Sequence, residues 1–208
     1  MLLYMIRHGE TDQNKEKRLQ GRTDIELNSY GRELAQITAE ALSKVKFDLI
    51  FTSPLKRAKE TAYIMRGERS IPVVEEERIQ EISFGEYEGH CYKKENYDIP
   101  DPDFNFFFTA PDKYRPAPSG ESFDAIIRRT GEFLAELISN PEYADKTILL
   151  STHGCALKAL LANITRCPLA DFWGQGVYKN CGVAIVQVID GQMTILEDSK
   201  LYYPLPRQ

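Results

Sequence analysis

Three short apolar runs, each halting abruptly at a cluster of polar and basic residues, constrain this chain more than any other feature. Leu2–Ile6 stops at Arg7-His8-Gly9-Glu10-Thr11, Asp48–Thr52 at Ser53-Pro54-Leu55-Lys56-Arg57, and Thr147–Thr152 at His153-Gly154. Runs this short and this continuously apolar read as strands buried on both faces, the pattern of a parallel sheet with helices on either side. Helical periodicity fills the intervals. Leu34, Ile37, Ala41, Leu42 and Val45 share one face between Ser29 and Val45. Ser53-Pro54 reads as an N-cap and first turn for a helix that runs to about Arg66 and stops at Gly67. Glu121–Ser139 carries the stripe Phe123, Ile126, Ile127, Thr130, Phe133, Leu134 and Leu137, and Gly154–Asn163 follows the third strand. Ile71–Val74 reads as a further short strand, and Val183–Ile189 with Met193–Leu196 as a hairpin across Asp190-Gly191.

The period is lost between Glu81 and Pro118, where proline and phenylalanine concentrate. An aromatic stretch of this kind predicts an ordered lid, at about 90–118, rather than a disordered linker. The expected architecture is a three-layer α/β sandwich, a mostly parallel sheet with helices on both faces, formed by residues 1–208 as a single domain.

Charge and cysteine usage narrow the function classes. With 26 Lys+Arg against 31 Asp+Glu, the net charge of −5 supplies no basic face for nucleic acid. No apolar run approaches a membrane span, and Met1–Ile6 is too short for a signal-peptide core. Four scattered cysteines form no Cys-x-x-Cys pair and fit a reducing, cytoplasmic setting.

In parallel sheets the ligand site lies beyond the carboxyl ends of the strands. If the three runs are neighbours, Arg7, His8, Arg57 and His153 meet at one rim. Two guanidinium forks match phosphate oxygens, one neutral imidazole can act as nucleophile, and a second adds a donor or a cation. Backbone N–H groups at the helix opened by Gly154 would finish the anion cradle. That set favours phosphoryl transfer to His8. Glu81, where regular structure gives way to the lid, is the candidate acid for the departing alkoxide; apolar neighbours are expected to favour its protonated form.

The same residues resemble the signatures of the histidine phosphatase superfamily, which includes the cofactor-dependent phosphoglycerate mutases and many small-molecule phosphatases. Arg7-His8-Gly9-Glu10-Thr11 with Asn14 and Gln20-Gly21 is similar to the first motif, and Ser53 to Thr61 to the second. Glu81 with Phe84-Gly85 and Tyr87-Glu88-Gly89 resembles the acid-bearing motif, with Tyr87 where Trp is common. Ser119-Gly120-Glu121-Ser122 and Ser151-Thr152-His153-Gly154 complete the order. The resemblance implies a phosphate pocket of Arg7, His8, Arg57 and His153, a phosphorylated His8, and Glu81 as proton donor. It also implies Asn14, Gln20 and Gly21 on the substrate side, and neither metal nor cofactor.

The expected activity is hydrolysis of small phosphate esters by a monomer or homodimer. A phosphoglycerate mutase is the alternative, disfavoured by a short lid whose cations are Lys93, Lys94, Lys113 and Arg115. An inactive protein-binding scaffold is a second alternative, against which stands the retention of every motif residue. His90 reads as a lid or surface residue, Lys15-Glu16-Lys17-Arg18 as a solvated loop, the phenylalanines as lid packing, and Asn180 as a turn residue.

Overall fold

The computed structural model describes residues 1–204. Each apolar run forms a strand: β1 (Leu2–Arg7), β2 (Leu49–Thr52) and β4 (Thr147–Thr152), with β3 (Val73–Glu75) at one edge. The sheet has six strands in the order β3-β2-β4-β1-β5-β6. The first four are mutually parallel, and β4 lies between β1 and β2 with Met5 opposite Leu150 and Phe51 opposite Leu150. The expected hairpin, β5 (Val183–Ile189) and β6 (Gln192–Lys200), adds to the β1 edge in antiparallel sense.

Side-chain alternation splits the core into two layers. Leu3, Met5, Ile148 and Leu150 point to one face, where α5 (Phe123–Ser139) and α6 (Gly154–Thr165) cover them with Phe133, Leu137, Leu157 and Leu160. Ile6, Ile50 and Leu149 point to the other, against α2 (Ser29–Ala41) and α3 (Lys56–Arg66) through Leu34, Ala35, Ala62 and Met65. The three-layer α/β expectation holds.

Helix ends depart from the sequence reading in instructive ways. The N-cap of α5 is Ser122, whose hydroxyl accepts from the Ala125 N–H, and that of α2 is Asn28, accepting from Gly31. Helix α2 ends at Ala41, and Leu42 and Val45 remain in the core on the turns that follow. Ser53 is not the cap of α3. Leu55 takes that position without a side-chain cap, and the Lys56 N–H is satisfied by Asp24 Oδ1 at 2.7 Å. Ser53 is instead held in non-helical backbone beside His153.

The stretch around 90–118 is ordered. It consists of short turns and the one-turn helix α4 (Phe106–Thr109), preceded in the chain by the short α1 (Asp12–Glu16) near the first motif. Phe84, Phe104, Phe107, Tyr114 and Phe123 pack into a third apolar cluster with Trp173, so the phenylalanines do pack the lid against the body. No helix among the described residues is long and apolar enough to cross a membrane.

Candidate active site

The parallel strands end on one side of the sheet, and each delivers its next residues to the same rim. His8 follows β1 and is 2 % exposed; its N–H bonds to the Thr152 carbonyl at the end of β4. Its imidazole Nδ1 lies 2.7 Å from the Gly9 carbonyl. A carbonyl can only accept, so Nδ1 carries the proton and Nε2 presents a lone pair. Arg57, on the first turn of α3 and fully buried, donates from Nε toward that Nε2 at 3.3 Å. Burial, with the charges of Arg57 and Arg7 adding to it, pushes the His8 imidazole well below its ordinary range and keeps it neutral.

Arg57 is fixed from behind: Nη1 donates to the Thr23 carbonyl and Nη2 to the Gly21 carbonyl, both at 2.7 Å. Burial lowers its guanidinium to about 10, opposed chiefly by Glu81, which leaves it charged at neutrality. Arg7 donates from Nη1 to the Tyr178 carbonyl, while its Nε is buried without a partner.

His153, also fully buried, lies edge-on to His8 with ring centroids 5.1 Å apart. Its Nε2 meets Ser53 Oγ at 2.7 Å, and Ser53 Oγ in turn accepts from the Leu55 N–H at 3.3 Å. The ring's other nitrogen, Nδ1, is left buried without a partner. Burial, then Arg57, drives this ring well below its ordinary range too, so of the two expected roles His153 fits the neutral donor rather than the cation. Two buried nitrogens without partners, Arg7 Nε and His153 Nδ1, thus lie near His8. An unsatisfied buried donor such as Arg7 Nε calls for an anion.

Glu81 reaches the pocket from the loop after β3, but its surroundings differ from expectation. Its carboxylate accepts from the N–H groups of Cys155 (3.1 Å), Ala156 (3.0 Å) and its own neighbour Ile82 (3.0 Å). The amides at the start of α6 therefore hold Glu81 rather than completing the anion cradle, and the predicted apolar setting is replaced by a polar one. Ile82 packs into the lid cluster, and Phe84 joins that cluster while lining the same cavity as Glu81. Arg129 braces this loop, donating to the carbonyls of Arg78 (2.7 Å) and Glu81 (3.1 Å) while paired with Glu121 at 2.6 Å.

Arg7, His8, Asn14, Gln20, Gly21, Arg57, Glu81 and Gly154 line one cavity that opens to solvent. His153 is the one predicted residue not on its wall. Gly154 must lack a side chain, because a Cβ there would lie 2.9 Å from Val177 Cγ1 and 3.5 Å from Arg7 Nε. Gly21 has φ +50°, and a Cβ would meet the Glu88 carboxylate, which accepts from the Arg22 and Thr23 N–H groups and pins this loop.

Two residues acquire roles that the sequence did not suggest. Asn180, 172 positions from His8, donates from Nδ2 to the His8 carbonyl at 3.0 Å and to Asn14 Oδ1 at 3.2 Å, so it is no mere turn residue. Arg18 lines the cavity, and Lys15 and Glu16 belong to α1, so that segment is not a solvated loop throughout. His90 stays at the surface, with Nδ1 3.2 Å from Asp98, and does not line the cavity. Among the described residues no three His, Cys, Asp or Glu side chains gather as metal ligands.

A buried neutral histidine among arginines at the carboxyl edge of a doubly covered sheet defines a class: an α/β protein organised around an anion pocket. Comparison with known proteins gives the family. The chain belongs to the histidine phosphatase superfamily, branch 1, whose family model matches residues 3–199. It is 35% identical over 161 residues to the uncharacterized phosphatase PhoE of Bacillus subtilis, covering 77% of this chain and 76% of that one. It is 34% identical over 185 residues to glucosyl-3-phosphoglycerate phosphatase of Mycobacterium tuberculosis, covering 86% and 81%. Among solved structures, YhfR of Bacillus stearothermophilus superposes with a TM-score of 0.89 at 34% identity, over 96% of this chain and 97% of that one.

Proposed function

We propose that this chain is a phosphatase that hydrolyses small phosphorylated metabolites through a phosphohistidine on His8. The observation that carries the reading is the state of His8, neutral, with Nδ1 spent on the Gly9 carbonyl and Nε2 directed into the pocket beside Arg57. The phosphatase names of its relatives support it.

Arg57 and Arg7, both on the cavity wall, bind the non-bridging oxygens of the ester, neutralising charge and aligning the bond to be broken, while His153 packs edge-on against His8 from behind that wall. His8 Nε2 attacks phosphorus, and the bond to the ester oxygen breaks. Glu81 gives a proton to the departing alkoxide. Glu81, now a carboxylate, takes a proton from the incoming water. The water oxygen bonds to phosphorus as the P–N bond breaks, phosphate leaves, and His8 is neutral again. No metal enters this cycle. The whole chain acts as one domain in the reducing cytoplasm, since the pocket draws on residues from Arg7 to Val177 and all four cysteines are free thiols.

The test is release of phosphate from p-nitrophenyl phosphate in EDTA, with alkali-quenched enzyme examined for base-stable, acid-labile label on His8. His8→Ala is expected to lose both turnover and label. Native enzyme with no turnover between pH 5 and 8 would refute the phosphatase reading. Conversion of 3-phosphoglycerate to 2-phosphoglycerate in place of free phosphate would make it a mutase.

A further inference from the structure

Beyond the phosphate cradle the cavity opens into a chamber walled by Leu19, Tyr92, Phe107, Phe108, Trp173 and Val177. The wall is braced before any ligand arrives. Phe107 packs edge-on to Trp173 at 5.2 Å and to Phe108 at 4.9 Å, and Phe108 lies 5.4 Å from Tyr92. The Trp173 indole N–H is bonded to the Phe107 carbonyl. Ring faces and edges are therefore presented in fixed positions to whatever the phosphate carries.

The chamber offers little to a charged alcohol. Apart from Arg7 and Arg57, the one cation on the cavity wall among the described residues is Arg18. Its Nε is 2.9 Å from Glu16, its Nη1 donates to the Gly89 carbonyl at 2.8 Å, and Asp98 stands 4.0 Å away. The lid cations Lys93, Lys94, Lys113 and Arg115 do not line the cavity. A carboxylate placed here would be desolvated without a counter-ion, whereas an aromatic ring would be taken out of water against rings.

Resting on the phosphatase reading above, we infer that the site selects monoesters of alcohols with a flat apolar body over esters whose alcohol carries a carboxylate. The chamber is the specificity element and Phe108 and Val177 are its most accessible parts.

The experiment compares kcat/KM for 2-phenylethyl phosphate, O-phosphoserine and 3-phosphoglycerate, all primary alkyl esters, so that leaving-group acidity does not decide the order. Burial of one ring predicts a preference of about 30-fold or more for the phenylethyl ester. Phe108→Ala should cut that ratio about fivefold. Val177→Lys, at a position 38% exposed beside Gly154, places an ammonium on the wall and should shift the ratio about tenfold toward phosphoserine. Equal or reversed native rates would overturn the inference while leaving the phosphatase standing, as would ratios unmoved in both variants. Failure to release phosphate from any ester, p-nitrophenyl phosphate included, would overturn both.

Discussion

Holding two neutral histidines inside the protein makes the fold sensitive to acid. In the unfolded chain His8 and His153 titrate near 6.5, whereas in the fold burial, with the arginine charges adding to it, pushes both well below that. The unfolded state therefore binds more protons as pH falls, so stability is lost on acidification, starting near the unfolded value. Each imidazole that stays neutral costs about 1.4 kcal/mol between pH 7.5 and pH 5.5, and the pair about 3 kcal/mol. Carboxylates contribute little in this window, because they titrate lower in the unfolded chain. Urea titration followed by the fluorescence of Trp173, the single tryptophan and a buried one, would read the change directly. The midpoint should fall by about 1–2 M between the two pH values. A His8→Gln, His153→Gln double variant should lose most of that slope. A native midpoint flat or higher at pH 5.5, or a double variant as acid-sensitive as the native chain, would refute the argument.

Three other outcomes follow from the geometry. Glu81→Gln removes the proton donor, so kcat on alkyl phosphates should drop about 100-fold or more while the burst of p-nitrophenol survives; equal losses on both would count against Glu81 as the acid. Asn180→Ala removes one of two donors from each of the His8 carbonyl and Asn14 Oδ1, which keep the Cys181 and Thr11 N–H groups, and should lower kcat about tenfold with a smaller change in KM. Gly31→Ala would set a Cβ 2.1 Å from the Glu10 carbonyl oxygen and 2.5 Å from its nitrogen, forcing α2 off the first motif. A loss of about 3 kcal/mol, seen as a melting temperature lower by about 10 °C, is expected.

The strands and their polar ends were legible because a buried parallel strand needs an unbroken apolar run, and Arg7, Ser53 and His153 break those runs where solvent or ligand begins. From that alone the sheet and the rim cluster could be forecast. Contacts between distant segments could not. Ser53-Pro54 has the local chemistry of a cap, but its hydroxyl is taken by His153, one hundred residues on, and Asp24 does the capping. Helix α1 buries no residue and so has no apolar period to detect; the Thr11 and Asn14 capping box was its one local sign. The apolar neighbours of Glu81 suggested a dry setting, yet the carboxylate finds the amides of α6 seventy-odd residues downstream. Asn180 acts through a backbone carbonyl, which leaves no side-chain pattern to read.

Strand β4 is the last of the four parallel strands in chain order: it begins at Thr147, yet it is the partition between β1 and β2, which share no edge of their own. During synthesis the strand leading to His8 and the strand leading to Arg57 have no strand to join them until that late segment slots between. His8 and Arg57, which follow β1 and β2, are therefore set side by side only once β4 is in place.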